Sequence, residues 1–205
     1  LERRAPAGRD VVDPLAELPA FHISYPIPSD RTPDHYPLEI LTMVLGDGES
    51  SRLYQKLIKE TQLLQDISVS TDGRRGPDLL SFWGICSEGK KAADARELIY
   101  KEIASIADKG ITERELQKAR NGIRSAFVFG LVSNMSRATK LGEFELYFGD
   151  ANLLNHEADR YLAVTSADVQ RVAKQYFAPQ SRTVLDVMPK PAAPAAASTA
   201  TGSKP

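Results

Sequence analysis

The side chains from which this chain could build a metal site are three histidines and one cysteine. No two of the histidines, His22, His35 and His156, share the three- or four-residue spacing that puts two ligands on one helix face. His156–Glu157 is not followed by the second histidine of an H-E-x-x-H zinc motif, and the inverted H-x-x-E-H order is absent. The sequence therefore predicts no metal site within this chain.

The residues that could act as a nucleophile or bind a phosphate group carry equally little signal. Cys86 lies in an apolar run without a neighbouring histidine, so we interpret it as a buried thiol, and Trp83 in the same run is predicted to pack in the core. No G-x-S-x-G nucleophile motif is present. Gly46–Asp47–Gly48 resembles part of a phosphate-binding loop, but it follows a helical pattern and lacks the third glycine and the lysine. The sequence therefore predicts no catalytic residue.

The balance of charges argues against nucleic acid and membranes as partners. There are 26 Lys and Arg residues against 27 Asp and Glu, which gives a net charge of -1. No apolar run approaches the roughly 18 residues of a membrane span, and the first ten residues lack the apolar segment of a signal peptide. The compartment stays open, with a bacterial periplasm and a cytoplasm both compatible. Because the sequence starts at Leu1 without Met, we expect a piece of a longer protein.

The apolar periodicity of the first half predicts strands and helices around one glycine-marked turn. Phe21–Ile27 alternates apolar and polar residues, as a half-buried strand does. A helix is predicted over His35–Leu45, with Asp34 as its N-cap and Gly46 and Gly48 ending it. Ser50 or Ser51 is predicted to cap a second, short helix that turns Leu53 and Leu57 inward. Two strands joined by a turn follow, the first with Ile67 and Val69 and the second over Leu79–Cys86.

The second half is predicted to be almost entirely helical before a last strand. Helices are expected over Lys90–Lys109, Thr112–Phe127, Gly130–Gly149 and Asn152–Val164, then from Thr165 to just before Pro179, with a final strand over Arg182–Met188. Thr112 and Glu115 have the spacing of a capping box. This order predicts an α+β fold, a mainly antiparallel sheet with helices packed on one face. We predict residues 1–19 to be a linker or short leading strand, residues 20–189 the domain, and residues 190–205 a disordered Ala/Pro-rich tail.

Four stretches carry a resemblance to a known family. They are Tyr36–Leu41, Leu45–Tyr54 with its S-S-R-L segment, Gly110–Asn121, which is similar to G-[IV]-T-x-x-E-L-x-x-A-K-N, and Tyr161–Ala173, which is similar to V-T-x-x-D-V-x-x-V-A. In this order the sequence resembles the C-terminal, non-zinc domain of insulinase/pitrilysin-type metallopeptidases, in the group similar to mitochondrial processing peptidases. The resemblance covers roughly Phe21 to Pro189.

The resemblance implies a clamshell of two similar α+β halves, on one chain or on paired subunits. It implies that the zinc motif, with a glutamate that activates the zinc-bound water, lies in an N-terminal domain of the parent protein. An arginine and a tyrosine from a segment L-R-[TE]-K-x-x-L-G-Y in the opposing half would hold the substrate peptide or the oxyanion. The expected partners are therefore the chain's own N-terminal peptidase domain, a homologous second subunit in a dimer, and a peptide substrate.

At the two clamp positions this sequence departs from the family pattern. Ile58 stands where the resemblance places the arginine, Gln65 stands where it places the tyrosine, and Leu64 replaces the preceding glycine. An aliphatic side chain cannot donate a hydrogen bond, and an amide is shaped differently from a phenol. We therefore predict that Ile58 and Gln65 are degenerate clamp positions, that this domain has no catalytic residue, and that a partner subunit supplies the clamp.

Two other hypotheses stay open on the sequence alone. The chain could come from an inactive homologue that serves as a scaffold or assembly subunit, as in the core subunits of a respiratory complex. It could also be a peptide-binding module that offers a sheet edge for strand addition. An H-x-x-E-H motif in the parent upstream of Leu1 would favour the peptidase hypothesis.

Overall fold

The computed structural model describes residues 7–190 as a five-stranded sheet with helices. The strands are β1 (Ala7–Asp13), β2 (Ala20–Ile27), β3 (Leu64–Thr71), β4 (Asp78–Cys86) and β5 (Thr183–Pro189). Their order across the sheet is β1-β5-β2-β4-β3. Only the β1–β5 pair is parallel, and the β5–β2, β2–β4 and β4–β3 pairs are antiparallel. The predicted α+β fold with a mainly antiparallel sheet is confirmed.

The sheet buries one face, as the alternation in β2 predicts. Phe21, Ile23 and Tyr25 point into the core, whereas His22 and Ser24 lie on the opposite face. The prediction that Trp83 packs in the core is wrong. Trp83 pairs with His22 in the register of β2 and β4 and is 40% exposed, because the period of two puts it on the face that the helices leave open.

Between residues 7 and 190 the chain forms six α-helices. They are α1 (His35–Gly46), α2 (Ala92–Lys109), α3 (Glu113–Gly130), α4 (Asn134–Phe148), α5 (Glu157–Ala163) and α6 (Ser166–Tyr176). A π-helix spans Tyr54–Glu60, and short 3-10 helices span Ala151–His156 and Pro179–Ser181. The predicted capping box of Thr112 and Glu115 starts α3, and Thr165 and Asp168 form a second one at α6.

The helices pack together against the buried face of the sheet. α2 contacts α6, and α1 contacts β3, α3 and α6. Phe177, directly after α6, lies against the sheet with its ring centroid 4.8 Å from that of Tyr25, which also meets Phe82 at 6.2 Å. This aromatic cluster joins the helical layer to the centre of the sheet.

Asp34 precedes α1, as predicted, but it does not cap the helix backbone. Its side chain accepts no hydrogen bond from the first turn of α1. The carboxylate instead accepts hydrogen bonds from the hydroxyl of Tyr176 at 2.6 Å and from Arg171 at 2.7 Å. Asp34 therefore ties the start of α1 to α6 rather than satisfying the amides of its own helix.

The ends of the chain bear on the predicted domain limits. β1 lies within the region predicted to be a linker or a short leading strand, and pairs in register with β5 from Ala7↔Thr183 to Asp13↔Pro189. The limits at residues 19 and 189 stay predictions. The predicted disordered tail lies, apart from Lys190, outside the described residues. Within the described range, no helix is both long and apolar enough to cross a membrane.

Candidate functional site

The clamp segment, residues 45–65, contains the two positions that the resemblance assigns to the clamp. It begins where α1 ends against β3. α1 runs to Gly46, and a Cβ added there would lie 2.5 Å from Cγ2 of Val69. Only glycine therefore allows the end of α1 to lie this close to the strand. Gly48 follows with a φ of 71°, in the left-handed region that glycine adopts at little cost. The predicted glycine turn is confirmed.

Arg52 fixes the next part of the segment to α3. Its Nε lies 2.6 Å from Oε1 of Glu115 and its Nη2 lies 2.9 Å from Oε2, while Glu102 is 3.8 Å away. Glu115 also accepts hydrogen bonds from the backbone amide and the hydroxyl of Thr112, both at 2.8 Å. These hydrogen bonds, that from Arg52 above all, lower the pKa of Glu115 to about 2. Arg52 therefore has a structural role, since both of its partners belong to the same domain.

The predicted short helix forms with a wider turn than expected. Tyr54–Glu60 is a π-helix, and the amide of Thr61 donates to the carbonyl of Lys56, five residues back, at 3.1 Å. Leu53 and Leu57 are fully buried, as predicted. The predicted cap by Ser50 or Ser51 is wrong, because Leu53 precedes the π-helix without a side-chain cap and the buried hydroxyl of Ser51 has no hydrogen-bond partner among the described residues.

Ile58 lies on this π-helix and packs against the core. Its side chain is partly buried beside the main hydrophobic cluster. A π-turn is rare in proteins and is often found at functional sites. At Ile58 that backbone presents only a hydrocarbon, which can neither donate a hydrogen bond nor carry charge.

Gln65 lies on a second irregularity of the backbone, a β-bulge. Leu64 pairs with Cys86 and Asp66 pairs with Ile85, so Gln65 is the extra residue of β3 at this point and its side chain is exposed. Before it, Gln62 has a φ of 51°, which is uncommon for any residue other than glycine. The two predicted clamp positions therefore lie on irregular backbone, and neither position is an arginine or a tyrosine.

The two lysines beside Ile58 lie close to neighbouring side chains. Lys56 pairs with Glu60 at 2.7 Å, and this pairing raises the pKa of Lys56. Lys59 Nζ lies 5.6 Å from the ring centroid of Tyr54. A lysine that acts as a base near neutral pH needs a lowered pKa, so Lys56 does not fit that role.

The three histidines lie in separate parts of the fold. His22 is on the open face of the sheet with Nε2 3.2 Å from Oγ of Ser24, His35 is buried at the start of α1, and His156 is exposed before α5. Among residues 7–190, no three His, Cys, Asp or Glu side chains are grouped so that they could hold a metal ion. Burial raises the pKa of the Cys86 thiol, which opposes formation of a thiolate. These donors do not fit zinc.

One buried charged cluster has no signal in the sequence. Arg31 forms an ion pair with Glu157 across 126 residues, and its guanidinium carbon lies 5.0 Å and 4.8 Å from the ring centroids of Phe144 and Phe148. Arg31 has a φ of 59°, so these contacts hold a strained loop residue in place. No local spacing connects residues this far apart.

Comparisons with known proteins find relatives of this chain in sequence and in structure. The sequence model described as "Peptidase M16 inactive domain" matches residues 2–123. An uncharacterized zinc protease of Mycobacterium leprae is 31% identical over 138 residues, which are 67% of this chain and 31% of that protein. The match thus spans about a third of this curated relative's length.

Two solved structures have the same fold. A protease from Helicobacter pylori superposes with a TM-score of 0.85 at 22% identity over 92% of this chain and 46% of its own. The inactive peptidase domain of a protein named as a zinc protease, from Bordetella parapertussis, superposes with a TM-score of 0.76 at 25% identity. That match covers 85% of this chain and 92% of the other. These findings confirm the resemblance stated from the sequence motifs.

Proposed function

The chain belongs to the peptidase M16 inactive-domain family, and from this membership we propose that it completes the substrate chamber of a peptide-cleaving zinc metallopeptidase without taking part in catalysis. In this proposal the zinc motif lies in an N-terminal domain of the parent, outside the present chain. A homologous second subunit supplies the arginine and the tyrosine that hold the substrate. The domain contributes shape and a wall of the chamber.

The observation that supports the proposal is irregular backbone at the two positions that the resemblance assigns to the clamp, without an arginine or a tyrosine at either. The π-helix that bears Ile58 and the bulge that bears Gln65 are both present. The side chain of Ile58 cannot donate a hydrogen bond, and the amide of Gln65 is a weaker donor than a phenol and has a different shape. A domain with a purely structural role needs the backbone of this segment. It does not need an arginine or a tyrosine at positions 58 and 65.

The attachment of the segment to the rest of the domain supports a structural role. Arg52 binds Glu115 with two hydrogen bonds, and Leu53 and Leu57 anchor the π-helix in the core. These contacts hold the part of the segment that precedes Ile58 against α3 and the core. The proposal therefore predicts a rigid wall at this point.

The experiment measures peptide hydrolysis by the intact parent protein together with its partner subunit. Replacing Ile58 and Gln65 by alanine is expected to leave kcat/KM within about twofold, because neither side chain contacts the transition state. Replacing the partner's clamp arginine by alanine is the matched change and is expected to abolish most of the activity. A loss of more than about tenfold in the Ile58→Ala, Gln65→Ala parent would show that these residues hold the substrate.

The loss of both clamp side chains is also compatible with an inactive homologue that serves as a scaffold. The zinc content of the intact parent distinguishes the two candidates. A parent that binds zinc and cleaves peptides together with its partner supports the peptidase proposal. A parent with neither zinc nor peptidase activity, but stably bound in a larger assembly, supports the scaffold.

A further inference from the structure

A cavity of about 510 Å³ opens into the helical layer, away from the clamp segment. α1 contributes His35, Glu39 and Met43, which are four residues apart and so lie on one face of the helix. α3 contributes Ile123 and Phe127 to the facing wall. At a rise of about 1.5 Å per residue, the α1 stripe runs for roughly 12 Å along the cavity.

The end of the cavity near the start of α1 is polar. His35 is buried, with Nε2 3.3 Å from the hydroxyl of Tyr161 and 3.2 Å from Oδ1 of Asp30. Its Nδ1 has no hydrogen-bond partner among the described residues. Burial, and then the charges of Glu39 and Glu157, raise the pKa of Tyr161. Three carboxylates, those of Asp30, Glu39 and Glu157, therefore lie at this end.

The two cationic side chains beside this end are already paired. Arg31 forms its ion pair with Glu157, and Lys140, on the cavity wall, lies 2.7 Å from the carboxylate of Glu143. Glu143 is itself not part of the wall. The cavity therefore has little positive charge left to neutralise its other carboxylates.

Two carboxylates on the wall pair with neither a lysine nor an arginine of the described residues. Asp30 faces His35, and Glu39 accepts a hydrogen bond from the hydroxyl of Thr71. Within residues 7–190, neither carboxylate has a lysine or arginine nitrogen within the 4.0 Å of an ion pair. A carboxylate held in a partly enclosed space without a counter-ion attracts a cation strongly.

The other end of the cavity is hydrocarbon. Met43 lies so close to α3 that a Cβ on Gly122 would be 2.8 Å from its Cε atom. Ile123, Phe127 and Leu131 extend this apolar wall. The cavity thus changes from acidic to apolar along α1.

We propose that this cavity binds an organic cation with a hydrocarbon body, of the alkylammonium or arylalkylammonium class. The ammonium group lies between Asp30 and Glu39, and the hydrocarbon lies against Met43 and α3. The volume is in the range of cavities that hold small molecules. The proposal goes beyond the role of the domain in a peptidase and does not depend on it.

Other classes of ligand fit the cavity less well. An anion would be repelled by the carboxylates of Asp30 and Glu39, which pair with no lysine or arginine of the described residues, and a neutral hydrocarbon would remove water from them without replacing its hydrogen bonds. A bare metal ion does not fit either, because no three donor side chains of the described residues are suitably grouped. An ammonium group with an apolar body satisfies both ends.

Methionine methyl groups provide a direct test of the location. The chain has three methionines, of which Met43 lines the cavity while Met135 and Met188 are exposed elsewhere. In the full chain labelled with ¹³C at the methionine methyls, 4-phenylbutylammonium is expected to shift the Met43 signal saturably and leave the other two unchanged. The carboxylate analogue 4-phenylbutyrate is expected to shift none. Equal shifts with both probes, or no shift with the ammonium, would overturn the proposal.

Charge substitutions test the recognition of the ammonium. Glu39→Gln is expected to weaken binding of 4-phenylbutylammonium by roughly tenfold or more, because it removes the charge and keeps the size. Glu88→Gln, on an exposed turn, makes the same change in net charge away from the cavity and is expected to have no effect. Asp30→Asn serves as the second cavity variant should Glu39→Gln not fold. Unchanged affinity in a folded cavity variant would refute the proposed site.

Discussion

Arg52 and Glu115 form a two-point ion pair between the clamp segment and the start of α3, with nitrogen–oxygen distances of 2.6 Å and 2.9 Å. Both residues belong to motifs that resemble the family, and the pair joins these two distant motifs in the fold. The carboxylate of Glu115 also closes the capping box with Thr112. Glu115 therefore both holds the clamp segment through Arg52 and caps the first turn of α3.

Removing the charge of Glu115 tests this connection. Glu115→Gln is expected to lower the free energy of unfolding by about 1 kcal/mol, since glutamine keeps the capping box but loses the ion pair with Arg52. The matched variant is Glu97→Gln, which removes an exposed ion pair with Lys101 within α2 and is expected to change stability little. Urea denaturation at neutral pH measures both. Equal effects in the two variants would contradict a special role for Glu115.

The same pair predicts how stability depends on pH. The pKa of Glu115 is about 2 in the folded protein against an ordinary value of 4.5, so the unfolded chain binds the proton more readily. The contribution of Glu115 is therefore fully present above pH 4.5 and is lost as the pH falls from there towards 2. The difference in stability between the native protein and Glu115→Gln should shrink over this range. A difference that stays constant down to pH 2 would be inconsistent with the lowered pKa.

Gln62 provides a prediction about backbone strain. Its φ of 51° lies in the left-handed region, which costs a non-glycine residue about 1 kcal/mol or more. Gln62→Gly is expected to raise the free energy of unfolding by roughly 0.5 kcal/mol, after the greater entropy that glycine loses on folding is counted. Gln65→Gly is the control, because Gln65 has no positive φ, and it is expected to destabilise. Thermal unfolding of both variants measures the contrast, and destabilisation by Gln62→Gly would contradict it.

Gly46 tests the close contact between α1 and β3. Gly46→Ala is expected to destabilise the protein by about 1–3 kcal/mol, because the added Cβ would lie 2.5 Å from Cγ2 of Val69. Gly142→Ala, inside α4 with nothing within 4 Å of the added Cβ, is expected to stabilise through helix propensity. Adding Val69→Ala is not expected to restore this loss, because the added Cβ would also lie 2.6 Å from Cβ of Val69, which alanine keeps. A Gly46→Ala variant as stable as the native protein would contradict the close contact.

The features that the sequence predicts correctly depend on neighbouring residues. The alternation of Phe21–Ile27, the capping box of Thr112 and Glu115, and the glycine turn after α1 each lie within a few residues, where local geometry decides the structure. The assignment of Ile58 and Gln65 to clamp positions came from the resemblance and remains a prediction. The structure adds only that both lie on irregular backbone.

The features that the sequence did not predict depend on contacts between distant residues. The ion pair of Arg31 and Glu157 spans 126 positions, and no periodic pattern records it. Trp83 was assigned to the core because its run is apolar, yet the alternation of the strand puts it on the open face. The π-helix that contains Ile58 likewise has no local signal in the sequence.

Zinc binding by the purified chain of 205 residues tests the central claim most directly. Equilibrium dialysis against micromolar zinc, followed by metal analysis, gives the number of ions bound per chain. Because the histidines and the cysteine of the described residues lie apart, we expect far less than one tightly bound zinc ion per chain. One tightly bound zinc ion per chain would contradict the account of a domain without catalytic function.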